Sequence, residues 1–463
     1  MPFHSRLRRP GTRKAGAAAL TVALAVLMAA CGGNHPDSIF HQRTDFNRDV
    51  DYLFRILIYF GTAVFIFVEA ILVWTLIKYR ARPGQPEPEH VHGNTTLEIT
   101  WTVIPLIILV LIGIPTIRTI IRTQAKARSD ALQVEVIGHQ WWWEFRYPQY
   151  TMAGLGGKTD TVVTANELYL PIGKTVNFTL HSKDVIHSFW VPALAGKRDL
   201  VTNHTNFLWY TPDSVGTEAF NGACVEYCGT SHANMRFKTF TVSQAQFDSW
   251  IENQKQMAVG SAPVAPAAPT QTAGGAVPAG PQTTVAAKSA APGQQPSTPA
   301  ANLPGAGVPA SPAPAMQVAQ AGFIAFPRDS LPAHTIPQTP TPAGLTFDDN
   351  LLAKGDAASG AKLMTGAGGC LACHAIRGNP MMIGNIGPNL THIASRTTIA
   401  AGLFPNTPHN LALWIKNARA MKPGVTMYTI GHDQYDPILH ASMKAGLFDP
   451  QIADIVAYLM TLK

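Results

Sequence analysis

The sequence predicts a multidomain chain: a two-helix transmembrane hairpin, an all-β domain, an Ala/Pro-rich linker that does not fold, and an all-α C-terminal domain. Three observations carry this. Two apolar runs, Ile56 to Ile77 and Trp101 to Ile117, are long enough to cross a bilayer. Residues 132–242 alternate apolar and polar in short stretches separated by turn residues. Met257 to Gly344 holds nearly half of the chain's 36 prolines with almost no charge, and helical periodicity returns only after it.

At the N-terminus, Arg6, Arg8, Arg9, Arg13 and Lys14 precede an apolar run from Ala15 to Met28 and the small residues Ala29-Ala30-Cys31. This predicts an export signal over residues 1–30. A cysteine directly after it resembles a bacterial lipoprotein signal, making Cys31 the expected lipidation site; an ordinary signal with an incidental cysteine is the alternative. Residues 31–55 then form an outer segment. The hairpin occupies 56–122, with spans over about 56–77 and 101–121. Lys78, Arg80 and Arg82 between the spans favour a cytoplasmic loop, whereas Arg118, Arg122, Lys126 and Arg128 argue the other way. The export signal breaks the tie and puts both ends of the hairpin outside.

The β domain is expected over 130–255, with strands at Gln133–Ile137, Glu167–Leu170, Thr175–Leu180, Phe207–Tyr210 and Phe237–Val242. Turns at Gly156-Gly157, Pro171-Ile172-Gly173 and Pro212-Asp213 make it a small sandwich or barrel. The linker, 256–345, cannot bury enough apolar surface to fold. As a flexible coil its ends would lie on the order of 50 Å apart. Only Phe323-Ile324-Ala325-Phe326 interrupts its composition. Helices at Asp356–Met364, Asn410–Met421 and Pro450–Leu462 place the α domain at 346–463.

The net charge of +7 does not imply nucleic acid, because the basic residues form only short runs beside apolar segments. Four of the five cysteines fall in two tight pairs, which suits metal or haem chemistry better than a disulfide framework. The first pair lies in Cys224-Val-Glu226-Tyr-Cys228-Gly-Thr-Ser-His232-Ala-Asn-Met235, with His187 upstream. Two thiolates, two imidazoles and a thioether are a soft donor set that selects copper. Zinc would leave Met235 without a reason. Two cysteines four apart on one loop are able to bridge two metal atoms. A Cys224–Cys228 disulfide or a structural zinc site is the alternative.

At these residues the sequence resembles subunit II of haem-copper cytochrome c oxidases. The likeness runs from Asp45 to about Lys255 and includes His92-Gly-Asn-Thr-Thr-Leu-Glu98-Ile-Thr-Trp101 and Gly138-His-Gln-Trp141-Trp-Trp143. It implies a cupredoxin-like domain holding a dinuclear copper (CuA) centre of two copper ions. His187, Cys224, Cys228, His232 and Met235 would be side-chain ligands and Glu226 a ligand through its backbone carbonyl. The Glu226 carboxylate would bind a magnesium ion at the interface with the catalytic subunit. Trp141 matches the aromatic through which such oxidases receive electrons, and Glu98 a carboxylate at the mouth of a proton pathway.

Cys370-Leu-Ala-Cys373-His374 is the attachment pattern for a c-type haem, with Cys370 and Cys373 bonded covalently to the macrocycle and His374 on the iron. From Asp348 to Lys463 the order of features resembles small class I cytochromes c. On that likeness Met427 is the sixth ligand and the Pro388 carbonyl accepts a hydrogen bond from His374. Met381, Met382, Met421 and Met443 are rivals for the ligand role. His392, His409, His432 and His440 are assigned nothing.

The two likenesses together imply an electron-accepting subunit in a bacterial inner membrane, multi-pass, with its copper and haem domains on the periplasmic face. Electrons would pass from a soluble or membrane-bound donor (cytochrome c or a bc-type complex) to the haem and the copper pair. They would then reach catalytic subunit I, which reduces oxygen with proton translocation. No oxygen-reducing site is expected in this chain. The tether would let the haem domain search for its copper partner at high effective concentration. Nine Lys or Arg against seven Asp or Glu from Thr346 onward agree with weak electrostatic steering. The equivalent subunit of a CuA-containing nitric oxide reductase, or an exported copper-delivery or redox-sensing protein, is the alternative.

Overall fold

Thr44 and Asn94 start the two long helices in the same way, their side-chain oxygens accepting the backbone N–H three residues on, at Asn47 and Leu97. The helices are α1 (Asp45–Lys78) and α2 (Thr95–Gln124), with mean hydropathy of 2.5 and 2.4. The computed structural model describes residues 37–258 and 331–463 except 41, 81, 86–91, 126–128, 155–158 and 214–217, and in addition residues 21, 22, 25, 26 and Phe326. Cys31 and most of the expected signal lie outside the described residues.

At about 1.5 Å per residue, α1 is roughly 50 Å long, well beyond the apolar thickness of a bilayer. The helices therefore outrun the expected spans by several polar turns. Large apolar side chains such as Phe65, Phe67 and Leu109 are 62–66% exposed, a surface that calls for lipid or a partner. The surplus turns of α1 and α2 meet each other and the β domain. Arg122 pairs with Asp49 at 2.9 Å and Arg48 with Asp213 at 3.0 Å. Asn47 donates to the Pro192 carbonyl at 2.9 Å, and the Thr44 hydroxyl donates to the Leu194 carbonyl. The cation at 122, which weighed against a cytoplasmic loop, thus has a local partner.

Ten strands follow: β1 (Leu132–His139), β2 (Trp142–Ala153), β3 (Thr159–Ala165), β4 (Glu167–Pro171), β5 (Val176–Ser182), β6 (His187–Trp190), β7 (Arg198–Leu200), β8 (Asn206–Tyr210), β9 (Glu218–Cys224) and β10 (Arg236–Val242). They form two five-stranded sheets, β3-β2-β1-β5-β8 and β4-β10-β9-β6-β7. The pairs β1–β5 and β4–β10 are parallel and the rest antiparallel. Alternation puts Phe145, Phe178, Phe189 and Phe237 between the sheets, fully buried, with the Phe189 and Phe237 ring centroids 5.0 Å apart. This is the cupredoxin-like sandwich. A helix not expected from the sequence, α3 (Gln244–Lys255), starts with a capping box at Ser243 and Gln246 and lays Trp250 on Tyr169 at 4.5 Å.

Residues 259–325 of the expected linker, Phe323 to Ala325 among them, lie outside the described residues. Phe326 stacks on Phe240 at 4.9 Å, and the His334 carbonyl accepts a hydrogen bond from Asn221 at 2.9 Å. The end of the segment expected as tether is thus seated on the sandwich.

The α domain comprises α4 (Asp349–Leu352), α5 (Ala357–Thr365), α6 (Pro408–Lys416), α7 (Ala418–Met421) and α8 (Asp449–Leu459). Met364 on α5, Leu411 and Ile415 on α6, and Ile452, Ile455 and Val456 on α8 bury a common core. The helix expected over Asn410–Met421 is two helices. Asn417 ends the first and caps the second, its side chain accepting the Ala420 N–H at 3.0 Å.

Candidate functional site

Sheet pairing assembles the first site. Cys224 ends β9 and Met235 precedes β10, and the Cys224 N–H donates to the Met235 carbonyl at 2.9 Å, closing the intervening loop. His187 opens β6, which pairs with β9 so that Phe189 faces Cys224. The donors then lie in a chain of short separations. Cys224 Sγ is 3.9 Å from His187 Nδ1, 3.7 Å from Cys228 Sγ and 3.3 Å from the Glu226 carbonyl oxygen. Cys228 Sγ is 3.6 Å from His232 Nδ1 and 3.8 Å from Met235 Sδ. All six expected donors converge.

The cysteines are free, and their separation is far beyond the roughly 2.05 Å of a disulfide. His187 and Met235 are fully buried, Cys224 and Cys228 nearly so. The S–H of Cys228 donating to Cys224 brings the Cys224 thiol down to about 4, and His187 assists. The same contact pushes Cys228 up. Burial opposes a charged His187 ring, yet Asp184 and Cys224 outweigh it and raise its pKa. Asp184 Oδ1 holds His187 Nε2 at 2.7 Å, leaving Nδ1 to face the sulfurs. Two sulfurs 3.7 Å apart, with nitrogen, oxygen and thioether donors around them, would suit a copper pair, and Met235 fits copper better than zinc.

Trp141 sits on this loop. Its indole N–H and the Gln140 side-chain amide both donate to the Cys228 carbonyl, at 2.9 and 2.8 Å. The Glu226 side chain is exposed, as a metal shared with a partner would need, and Glu98 is exposed in the first turn of α2. Neither carboxylate is among the donors brought together there; Glu226 joins them through its backbone carbonyl alone.

In the α domain, Cys370 and Cys373 are free, and His374 Nδ1 lies 2.8 Å from the Pro388 carbonyl, the contact that the resemblance implied. Nε2 is thereby left for iron. Burial holds the imidazole below the ordinary histidine pKa, which keeps it neutral and able to ligate. Gly387 is needed here, since a Cβ would fall 2.6 Å from His374 Cε1. Met381, Ile383 and Ile386, 54–66% exposed, flank this segment with the apolar surface that a haem would cover. Met427 is half-buried in the loop after α7, whereas its rivals Met382 and Met421 are core residues at 1% and 5% exposure.

The sequence reading missed the contacts between the two domains. Lys422 Nζ donates to the Trp141 carbonyl at 2.5 Å, and the Ser231 hydroxyl donates to the Pro423 carbonyl at 2.5 Å. Burial pulls Lys422 down to about 7, against the field of Cys228. A cleft of about 600 Å³ between the domains is lined by Trp141 and Thr230 on one side and by Arg419, Pro423, Gly424 and Tyr435 on the other. No local sequence signal points to such contacts.

A buried, soft sulfur and imidazole donor set, carried beside two bilayer-length helices, fits a membrane-bound electron carrier. The family described as cytochrome c oxidase subunit II matches in two parts, its transmembrane domain at residues 42–119 and its periplasmic domain at 132–242; cytochrome c matches at 357–463. A cytochrome c oxidase subunit 2 of Alkalihalophilus pseudofirmus is 43% identical over 195 residues, 41% of this chain and 54% of that one. A probable cytochrome c oxidase subunit 2 of Rickettsia bellii is 35% identical over 217 residues, 44% of this chain and 78% of that one. The chain belongs to the cytochrome c oxidase subunit II family and carries a C-terminal cytochrome c domain. It spans about half the length of the Alkalihalophilus relative and of the Bacillus relatives.

Proposed function

We propose that the chain is the electron-accepting subunit of a haem-copper respiratory oxidase. One observation carries this reading: the buried cluster of His187, Cys224, Cys228, His232, Met235 and the Glu226 carbonyl, joined through Trp141 to the surface on which the cytochrome domain sits. Those six residues would hold two copper ions. Cys370, Cys373, His374 and Met427 would hold a haem c, and Glu226 a magnesium ion shared with the catalytic subunit. The bound groups supply reversible one-electron carriage. The chain's own part is to keep ligands fixed and dry, so that little rearranges when charge arrives. Burial of both sulfurs, the Asp184 lock on His187 and the two donors on the Cys228 carbonyl all serve that rigidity.

Electrons enter at the C-terminal domain, cross to the copper loop by way of Trp141, and leave toward a separate catalytic subunit, where oxygen is reduced and protons are moved. Glu98 is assigned to the proton path. The membrane is the bacterial inner membrane, with the sandwich and cytochrome domain on the periplasmic side. A nitric oxide reductase using the same subunit would differ in its partner only. A copper-delivery protein would hold one labile Cu(I).

The test is metal and haem analysis of the purified chain with paramagnetic resonance of its oxidised form. Two tightly held coppers sharing one unpaired electron, and one covalent haem, are expected. A single exchangeable copper would defeat the oxidase reading.

A further inference from the structure

The cytochrome domain meets the sandwich at several places among the described residues, and two of them use a charged side chain from one domain to satisfy backbone groups of the other. Glu167, the first residue of β4, is 2% exposed. Its Oε1 accepts the Thr397 N–H and the Thr397 hydroxyl, each at 2.6 Å, and the Thr398 N–H at 3.2 Å. A carboxylate buried this deeply is tolerated only when donors surround it. The three donors here all come from the other domain, 230 residues away in sequence.

Arg377 makes the reciprocal contact. It lies three residues beyond His374, and its guanidinium donates to the carbonyls of Gln254 and Lys255 at 2.9 and 2.8 Å. These are carbonyls at the end of α3, which the helix itself leaves unpaired and which carry the negative end of its dipole. A cation supplied by a different domain is thus the C-terminal partner of α3.

A third place is over Trp141. Gly424 has φ of +83°, and a Cβ there would lie 3.0 Å from Thr230 Cβ and 3.4 Å from Trp141 Cη2. Glycine is required both by the backbone and by the approach. The backbone also pairs across the boundary, with the Arg236 N–H donating to the Ala401 carbonyl at 3.2 Å. Ala400 and Ala401 hold φ of +55° and +62° to make that approach. The cleft left beside Trp141 has room for a small molecule or prosthetic group and none for a folded protein.

We propose that Glu167 and Arg377 form a two-point latch that seats the chain's own cytochrome domain over Trp141, so that this tryptophan serves the tethered haem and is closed to external protein donors. The inference rests on the electron-carrier reading for its purpose, although the latch itself stands on contacts alone. It replaces the tethered search that the linker composition predicts with one fixed pose. Glu167 and Arg377 are positioning residues and are not among the expected ligands of either cofactor.

The experiment uses the full membrane chain and the variants Glu167→Ala and Arg377→Gln, each checked for unchanged copper and haem content. Amide hydrogen exchange is read at Thr397, Thr398 and residues 254–256. Exchange at Thr397 and Thr398 should speed up about tenfold or more in Glu167→Ala, with the copper loop unaffected. Haem-to-copper transfer in the unaltered chain should be insensitive to salt, because buried contacts are little screened. In both variants transfer should slow about tenfold, and direct reduction of copper by added soluble cytochrome c should rise. Thr397 and Thr398 amides exchanging at the unaltered rate in both variants would overturn the latch. So would direct reduction of copper by soluble cytochrome c at equal rates in the unaltered chain and in the variants. Loss of the two-copper signal from the unaltered chain would instead defeat the electron-carrier reading, and the exchange data would still decide the latch.

Discussion

The indole N–H of Trp141 donates to the backbone carbonyl of Cys228 at 2.9 Å, and that carbonyl belongs to one of the two cysteines at the centre of the donor cluster. A surface aromatic is therefore one hydrogen bond from the backbone of an expected ligand. Trp141→Phe keeps an aromatic ring, though a smaller one, and removes the donor. It should retain copper, lower the stability of the sandwich by about 1 kcal/mol, and slow reduction of the copper pair by about tenfold or more in stopped-flow measurements. An unchanged reduction rate would remove Trp141 from the path.

Asp184 fixes the ring of His187, and partners of this kind commonly tune metal affinity by about 10–100-fold. Asp184→Ala should weaken copper binding within that range, measured by competition with a chelator of known affinity. The protein should remain folded, because Asp184 lies in the turn before β6 and not in the core.

For the haem, a His/Met axial pair raises the reduction potential relative to other ligand sets. Met427→Ala should lower the potential in a redox titration and remove the absorption feature of thioether ligation. Met382→Ala and Met421→Ala should reduce stability through lost core packing and leave the potential near its original value.

Asp436 gives a pH-dependent test. Burial would raise its pKa, but the N–H groups of Leu439 and Ile438, with Thr429 and Arg419, outweigh burial and bring it down to about 2. A carboxyl depressed in the folded state contributes stability above its unfolded pKa near 3.8, and loses that contribution as pH falls toward 2. Breaking a buried pair typically removes about 3–5 kcal/mol. Asp436→Asn should therefore destabilise the cytochrome domain markedly at pH 7. Denaturation curves of variant and parent should converge as pH drops below 4.

What was legible in the sequence followed from local signals. Cys224 to Met235 and Cys370 to His374 carry their chemistry within a dozen residues, and His187 was the one distant partner that soft-donor logic demanded. Five strands were legible as short β-branched or aromatic stretches bounded by turn residues. By contrast, β2 contains Pro148 and clustered tryptophans, while β6 and β7 are only four and three residues long, too short to show a period. The helix α3 did have a signature, the Ser243 to Gln246 capping box, which its polar composition hid. The expected spans stopped short because the first turns of α1 carry Asp45, Arg48 and Asp49, residues chosen for the sandwich and for α2 rather than for lipid. Glu167 and Arg377 were invisible for a different reason. Each satisfies a group in the other domain, and no periodicity records a contact across more than a hundred residues.

The ion pair between Asp49 and Arg122 makes the membrane hairpin a fork gripped at the handle, with its prong tips at Lys78 and Thr95. Mismatch with a thinner or thicker bilayer would then be taken up at the prong tips, by tilt and by the basic residues Lys78, Arg80 and Arg82. The handle is also bonded to the sandwich through Asn47 and Arg48, so the donor cluster moves with that end of the hairpin and not with its tips.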